Sequence, residues 1–204
     1  MSHIISGISA ASIREIATFL REGKTLLYPT ETVYGLGCDV LNTSAVEKIF
    51  RAKGRAETKP MLVLVNSLVM LHTIVKDIPR VALQLFEKFS PGPLTVILPA
   101  AANIPSCVTA HTGTIGVRIP GSDFCLQLIE ESQLQLISTS ANISGEPAPA
   151  SIEELIKIFS NKIDVCMNAG NLPPSAPSTI VDATSGKIVL VREGVIPKSA
   201  LEYL

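Results

Sequence analysis

The sequence predicts an α/β fold: a single domain over residues 1–204, built on a twisted mixed β-sheet flanked by helices. Three observations carry this. Strand-like and helix-like segments alternate through most of the chain, the pattern of a sheet with helices laid against it. Hydrophobic residues make up 47% of the chain and charged residues 17%, enough apolar surface to fill a core. No repeat or low-complexity tract divides the sequence. The Pro-rich piece from Asn171 to Ser178 is too short to separate domains, and reads as a rigid loop that places Ser178 and Thr179.

Taken in order, Ile13, Ile16, Ala17 and Leu20 recur at helical spacing, and Gly23 stands where that helix stops. Thr25 to Tyr28 reads as a strand that halts at Pro29. Val46, Ile49 and Phe50 mark a second helix, with Thr43 or Ser44 as its cap. Met61 to Val65 is a short buried strand. Leu68, Leu71 and Val75 give a third helix; Val81, Leu85 and Phe89 give a fourth, ended by Ser90-Pro91-Gly92-Pro93. Leu94 to Leu98 and Ile115 to Ile119 are strands, and Phe124 to Ile129 a helix. The apolar run Leu134 to Ile137 reads as a strand leading into Ser138–Gly145. Ser151-Ile152-Glu153-Glu154 opens another helix with a capping-box pattern, running to about Phe159. Thr179 to Val181 and Lys187 to Val191 form a hairpin around Thr184-Ser185-Gly186.

Several classes of function are disfavoured at once. With 17 basic and 18 acidic residues, no global charge draws the chain onto nucleic acid or anionic lipid, so any basic site is local. Cys38, Cys107, Cys125 and Cys166 form no CxxC pair and have no histidine at zinc-ligand spacing, which fits reduced thiols in a cytoplasmic protein and predicts no metal site. The N-terminus lacks the basic and long apolar regions of a signal peptide. Phe89 to Val117 carries no Asp, Glu, Lys or Arg, but Pro91, Pro93, Pro99 and Pro105 break it, so it is not a membrane span. Gly23-Lys24-Thr25 is not a phosphate loop, because Thr18 occupies the first glycine position; Gly35-Leu36-Gly37 is not a dinucleotide loop, because Val40 occupies the third.

Other motifs do point to a site. Ser138 to Gly145 packs four hydroxyls and one amide into eight residues, within an uncharged stretch from Ser132 to Gly145. It reads equally as a Ser/Asn turn or as the wall of a polar pocket. Tyr28 to Gly37 runs a strand into a proline, then sets two hydroxyls around Glu31, and is either a turn or a polar ligand site. Lys48, Arg51, Lys53, Arg55 and Lys59 are the densest basic cluster. Lys48 and Arg51 fit a solvated helix end, whereas Lys53, Arg55 and Lys59, crowded around Gly54 and Pro60, fit an anion site better. Arg118 lies in an apolar strand and so requires an anionic partner, either a core carboxylate or a ligand.

Together these pieces resemble the YrdC-like family of L-threonylcarbamoyl-adenylate synthases. The matching elements are PTETVYGLG at 29–37, KGR and KP within 53–60, PGPLT at 91–95, GVRIP at 116–120, STSANISG at 138–145, PSTIVD at 177–182 and VREG at 191–194. The resemblance implies a short, stand-alone YrdC-like domain in the cytoplasm. It implies a nucleotidyltransferase that takes ATP with Mg2+, L-threonine and bicarbonate or CO2, and forms threonylcarbamoyl-AMP and pyrophosphate. The product would go to a transferase complex that modifies tRNA, which brings contact with tRNA into view. By position, Thr32, Arg118, Ser138, Ser178 and the backbone at Leu64 are the implied threonine residues. Lys53, Arg55, Lys59, Thr114, Ser140, Asn142, Ala148 and Arg192 are the implied ATP residues, with Lys53 and Arg55 as the catalytic pair. Two positions depart from the family pattern: Ala56 replaces a frequent proline, and Leu64 stands where some members carry histidine. The alternatives are an RNA-binding YrdC-like module without catalysis, and the carbamoyl-adenylate chemistry of related hydrogenase-maturation domains.

Overall fold

The computed structural model describes residues 1–54, 60–149 and 151–201, and among these the chain forms ten strands and seven helices. In chain order they are β1 (His3–Ser6), α1 (Ala10–Arg21), β2 (Leu26–Pro29), β3 (Tyr34–Gly37), α2 (Thr43–Lys53), β4 (Leu62–Leu64), α3 (Leu68–Leu71), α4 (Arg80–Phe89), β5 (Leu94–Pro99) and α5 (Ser106–Thr109). There follow β6 (Thr114–Arg118), α6 (Asp123–Ser132), β7 (Leu136–Ser140), α7 (Ile152–Phe159), β8 (Val165–Asn168), β9 (Thr179–Asp182), β10 (Val189–Arg192) and a 3-10 turn at Lys198–Leu201. The strands form one sheet in the order β1-β8-β2-β3-β7-β4-β6-β5-β9-β10. It is mixed: β4 runs parallel to β6, while β7 runs antiparallel to both β3 and β4.

Strand alternation decides the layering, because successive side chains point to opposite faces. Leu27, Val63, Ile137 and Cys166 enter one core; their neighbours Tyr28, Leu64, Leu136 and Val165 enter another. The first core takes Val46 and Ile49 of α2, Leu85 and Phe86 of α4, and Leu155 of α7. The second takes Ile13, Ile16 and Leu20 of α1 with Leu128 and Ile129 of α6. With helices on both faces, strands such as β4 carry apolar residues at successive positions. No described helix is long and apolar enough to cross a membrane.

Most helices fall where periodicity puts them, but the details differ instructively. Asn42, not Thr43 or Ser44, caps α2: its Oδ1 accepts from the Ala45 N–H at 3.1 Å, and Ser44 merely donates to the same oxygen at 2.9 Å. The third helix is a single turn, since Val75 bridges to Ala100 and the Lys76 N–H donates to the Pro99 carbonyl, drawing the chain to β5. Tyr34–Gly37 is a strand despite its two glycines. A Cβ on Gly37 would stand 2.5 Å from the Ile137 carbonyl oxygen and 2.7 Å from the Tyr28 ring, so close strand packing demands glycine here. Finally, β7 continues through Ser140, carrying the hydroxyl stretch into the sheet. The strands β1 and β8 were not foreseen; they pair in parallel across the whole chain, where no local turn signals them.

Candidate active site

A cleft of about 870 Å³ runs across the sheet, lined from the turn before β3 and from β4, β5, β6, β7, β9 and β10. It gathers Thr32, Arg118, Ser138 and Ser178 with Ser140, Asn142, Ala148 and Arg192. Lys53 lies just behind the lining, against the backbone of Ser140 and Asn142. Thr114 begins β6, with its hydroxyl 2.9 Å from that of Thr112 and off the lining. The Leu64 side chain is wholly buried in the second core; its backbone is level with Arg118 on the neighbouring strand. Arg55 and Lys59 lie outside the described residues.

Local chemistry fixes each group. At the 29–33 corner, the Thr30 hydroxyl donates to the Val33 carbonyl at 2.6 Å and accepts from the Thr32 and Val33 N–H groups, each at 3.2 Å. That closes a side-chain-supported turn and leaves the buried Thr32 hydroxyl 3.2 Å from Thr30 Oγ1. Ser138 sits mid-strand on β7, 4% exposed, where Gly35 on β3 gives it room; a Cβ there would meet Ser138 Oγ at 3.3 Å. Immediately before β9, Ser178 Oγ lies 3.1 Å from Thr95 Oγ1. Arg192, on the neighbouring edge strand, donates through Nε and Nη2 to the Ser178 carbonyl at 3.1 and 2.7 Å. This fork spans the β9–β10 hairpin and sets the position of Ser178.

Charge in the cleft is cationic and confined. Arg118 is 3% exposed, and its Nη1 stands 3.5 Å from Glu31 Oε1 without a hydrogen bond. The Arg118 Nε and both Glu31 oxygens are buried and have no hydrogen-bond partner. Glu31 itself is not on the lining, so the carboxylate backs Arg118 from outside the cleft. Burial, and then the like charge of Arg118, lower the pKa of Arg192. Burial pushes the Tyr28 hydroxyl up, against the lowering contributions of Ser138 and Arg118. Nearby Cys125 is raised to about 12, chiefly by burial, and stays a thiol. The described lining holds two guanidiniums, hydroxyls, an amide and apolar groups, and no carboxylate or imidazole. Such a surface binds and orients anions; it offers no nucleophile–base pair.

Thr95 was not foreseen as a site residue, and Thr30 only as one of the two hydroxyls around Glu31. Each stood inside a quoted motif, PGPLT and PTET, but only the meeting with Ser178 and Thr32 gives it a place. Gly116 is also on the lining, where a Cβ would come within 3.1 Å of Thr95 Cγ2.

The Sua5–YciO–YrdC family model, described as "Telomere recombination", matches residues 18–194. The chain is 40% identical to the threonylcarbamoyl-AMP synthase of Pyrococcus abyssi over 190 residues, covering 93% of this chain and 56% of that protein. It is 37% identical to the threonylcarbamoyl-AMP synthase of Bacillus subtilis over 191 residues, covering 93% of this chain and 55% of that protein. The crystal structure of P. abyssi Sua5 complexed with L-threonine superposes with a TM-score of 0.92 at 38% identity, over 100% of this chain and 60% of that one. The chain thus spans little more than half the length of these two curated relatives.

Proposed function

The chain belongs to the Sua5–YciO–YrdC family, and from that premise we propose that it is an L-threonylcarbamoyl-AMP synthase, a nucleotidyltransferase serving tRNA modification. The observation that carries this is one cleft joining Arg118, Ser138 and Ser178 to Ser140, Asn142 and Arg192, with no carboxylate among its described lining.

In this reading Arg118 takes the threonine carboxylate as a buried guanidinium fork. The Thr32, Ser138 and Ser178 hydroxyls orient the rest of the amino acid. The amine nitrogen adds to the carbon of CO2 and gives up a proton, or takes the place of hydroxide on bicarbonate with loss of water, and becomes an N-carboxylate. An oxygen of that carbamate attacks the α-phosphorus of ATP; the bond to the bridging oxygen breaks, and pyrophosphate leaves with the electron pair. The reaction forms a mixed anhydride without a protein nucleophile, so positioning and charge neutralisation do the catalysis. Ser140, Asn142, Ala148 and Arg192 face the nucleotide, joined by Arg55 and Lys59 and, at the head of β6, Thr114. The backbone at Leu64 completes the threonine end.

Mg2+ bound with ATP would supply neutralisation of the triphosphate charge. Hydroxyls and an amide beside two arginines fit a metal that is held by phosphate oxygens, and the described residues contain no cluster of three His, Cys, Asp or Glu suited to hold an ion directly. Burial of the threonine-side residues fits an intermediate that water destroys.

The test is pyrophosphate release from ATP, Mg2+ and bicarbonate, with and without L-threonine, and capture of threonylcarbamoyl-AMP by mass spectrometry. Threonine-dependent release is expected. Absent or threonine-independent release would leave a binding module and remove the enzyme. Delivery to a tRNA-modifying transferase is read out by adding the product to such a complex and tRNA.

A further inference from the structure

We infer that Lys53 is a positioning residue that locks the Ser140–Asn142 turn and does not itself ligate a phosphate. Which substrate suffers when it is lost rests on the synthase reading; the lock itself does not.

Lys53 is the last residue of α2 and is 2% exposed. Gly54 follows with φ 58, so the chain swings away there while the lysine side chain runs inward. Its Nζ donates to the Ser140 carbonyl, to the Asn142 carbonyl at 2.8 Å and to Asn142 Oδ1 at 3.2 Å. An ammonium carries three protons, and among the described residues these three oxygens accept from it. The Lys53 carbonyl in turn accepts from the Ser144 N–H at 2.9 Å, so both ends of this residue grip the same turn.

The turn needs such a grip. Hydroxyls and amides at 138–146 offer one another many local bonds, and short polar side chains compete with the backbone for them. Lys53 selects one arrangement. With Asn142 Oδ1 held by Lys53 and by the Ser140 hydroxyl at 2.5 Å, the Asn142 amide nitrogen is left to donate to the carbonyls of Ile143 at 3.0 Å and Glu146 at 2.7 Å. Carbonyl dipoles also repay the burial of the ammonium, which is costly otherwise. A phosphate oxygen at Nζ would compete with these three oxygens for its protons.

Two arms test this. The first uses the protein without nucleotide. In wild type, Lys53 should resist acetylation equally with and without ATP, and in Lys53→Met amide exchange across residues 138–146 should quicken roughly tenfold while β4 and β6 keep their protection. Acetylation of Lys53 that ATP suppresses, or unchanged exchange in the variant, would overturn the inference. The second arm is a double-mutant cycle on pyrophosphate release. Lys53→Met and Asn142→Ala should each raise the KM for ATP about tenfold and leave that for threonine within about twofold, and the double variant should be no worse than the poorer single. Multiplying effects would mean that Lys53 meets the nucleotide directly. If Lys53→Met does not fold, Lys53→Gln replaces it, and wild-type acetylation still decides. Failure of pyrophosphate release altogether removes the synthase reading and leaves the exchange and acetylation results standing.

Discussion

Arg118 shows how much one side chain can decide. Its guanidinium is buried beside Glu31, with Nη1 3.5 Å from Oε1, and the residue also lines the cleft. A charge-assisted bond to a ligand carboxylate is worth about 1.5–3 kcal/mol. Arg118→Ala is therefore expected to weaken threonine binding roughly 10- to 100-fold, with ATP binding unchanged, by calorimetry with each substrate alone. Equal weakening of both would mean that Arg118 serves the architecture. The sequence left two partners open for this arginine, a core carboxylate or a ligand; the structure supplies Glu31 and also sets Arg118 on the cleft lining. Asp164 is the contrasting case, with a settled structural role. Burial alone would raise its pKa, but the Lys48 ammonium at 2.5 Å and the Thr25 N–H and hydroxyl at 2.9 and 2.8 Å outweigh it and hold it low. A carboxyl depressed in the folded state stabilises above its unfolded pKa, and that contribution is lost as pH falls through the lowered value. Asp164→Asn should cost about 1 kcal/mol near neutral pH and flatten the acid side of the stability curve, read by urea melts between neutral and strongly acidic pH.

At the scale of elements, the hairpin β9–β10 places Ser178 and the loop after it limits how Ser178 can move. Arg192 grips the Ser178 carbonyl from one side, while the Thr179 hydroxyl donates to the Ile196 carbonyl at 2.7 Å and accepts from the Gly194 and Ile196 N–H groups, each at 3.0 Å. A Cβ on Gly194 would fall 2.1 Å from the Pro177 carbonyl oxygen and 2.6 Å from the Ser178 carbonyl carbon, backbone that cannot swing aside. Gly194→Ala should force Ser178 from its place, costing about 1–3 kcal/mol in stability and raising the threonine KM well above any change for ATP. Thermal melts and substrate-resolved kinetics check it; an unaltered threonine KM would show that Ser178 is not held this way. The hairpin itself was legible, from two apolar runs around Thr184-Ser185-Gly186 and a glycine that takes φ 75. Helices α1, α4, α6 and α7 were legible for a like reason: an apolar period, joined by a stop at α1 and α4 and by a cap at α7, is written in neighbouring residues. Strand β3 was not, because Tyr34-Gly35-Leu36-Gly37 has weak strand propensity and is a strand only where Tyr28 and Ile137 crowd it.

For the molecule as a whole, one sheet with helices on both faces brings residues from 30 to 192 into a single cleft. Ligands that bind only the folded cleft stabilise the whole domain, by about 2.7 kcal/mol at a hundredfold excess over Kd. For a domain of this size that is roughly 5–10 °C in Tm, expected for ATP and for threonine separately, and lost for threonine in Arg118→Ala. The sequence by itself determined the α/β class, most helices, the uncharged hydroxyl run at 138–145 and the family, because these rest on short-range periodicity and on residue types in a fixed order. The tertiary structure alone decided what those residues do to one another. Lys53 meets Ser140 across 87 positions, Ser178 meets Thr95 across 83, and Lys48 meets Asp164 across 116. No local pattern records such meetings, since strand order in a mixed sheet is fixed by how two cores pack, and each contact exists only once both cores are closed.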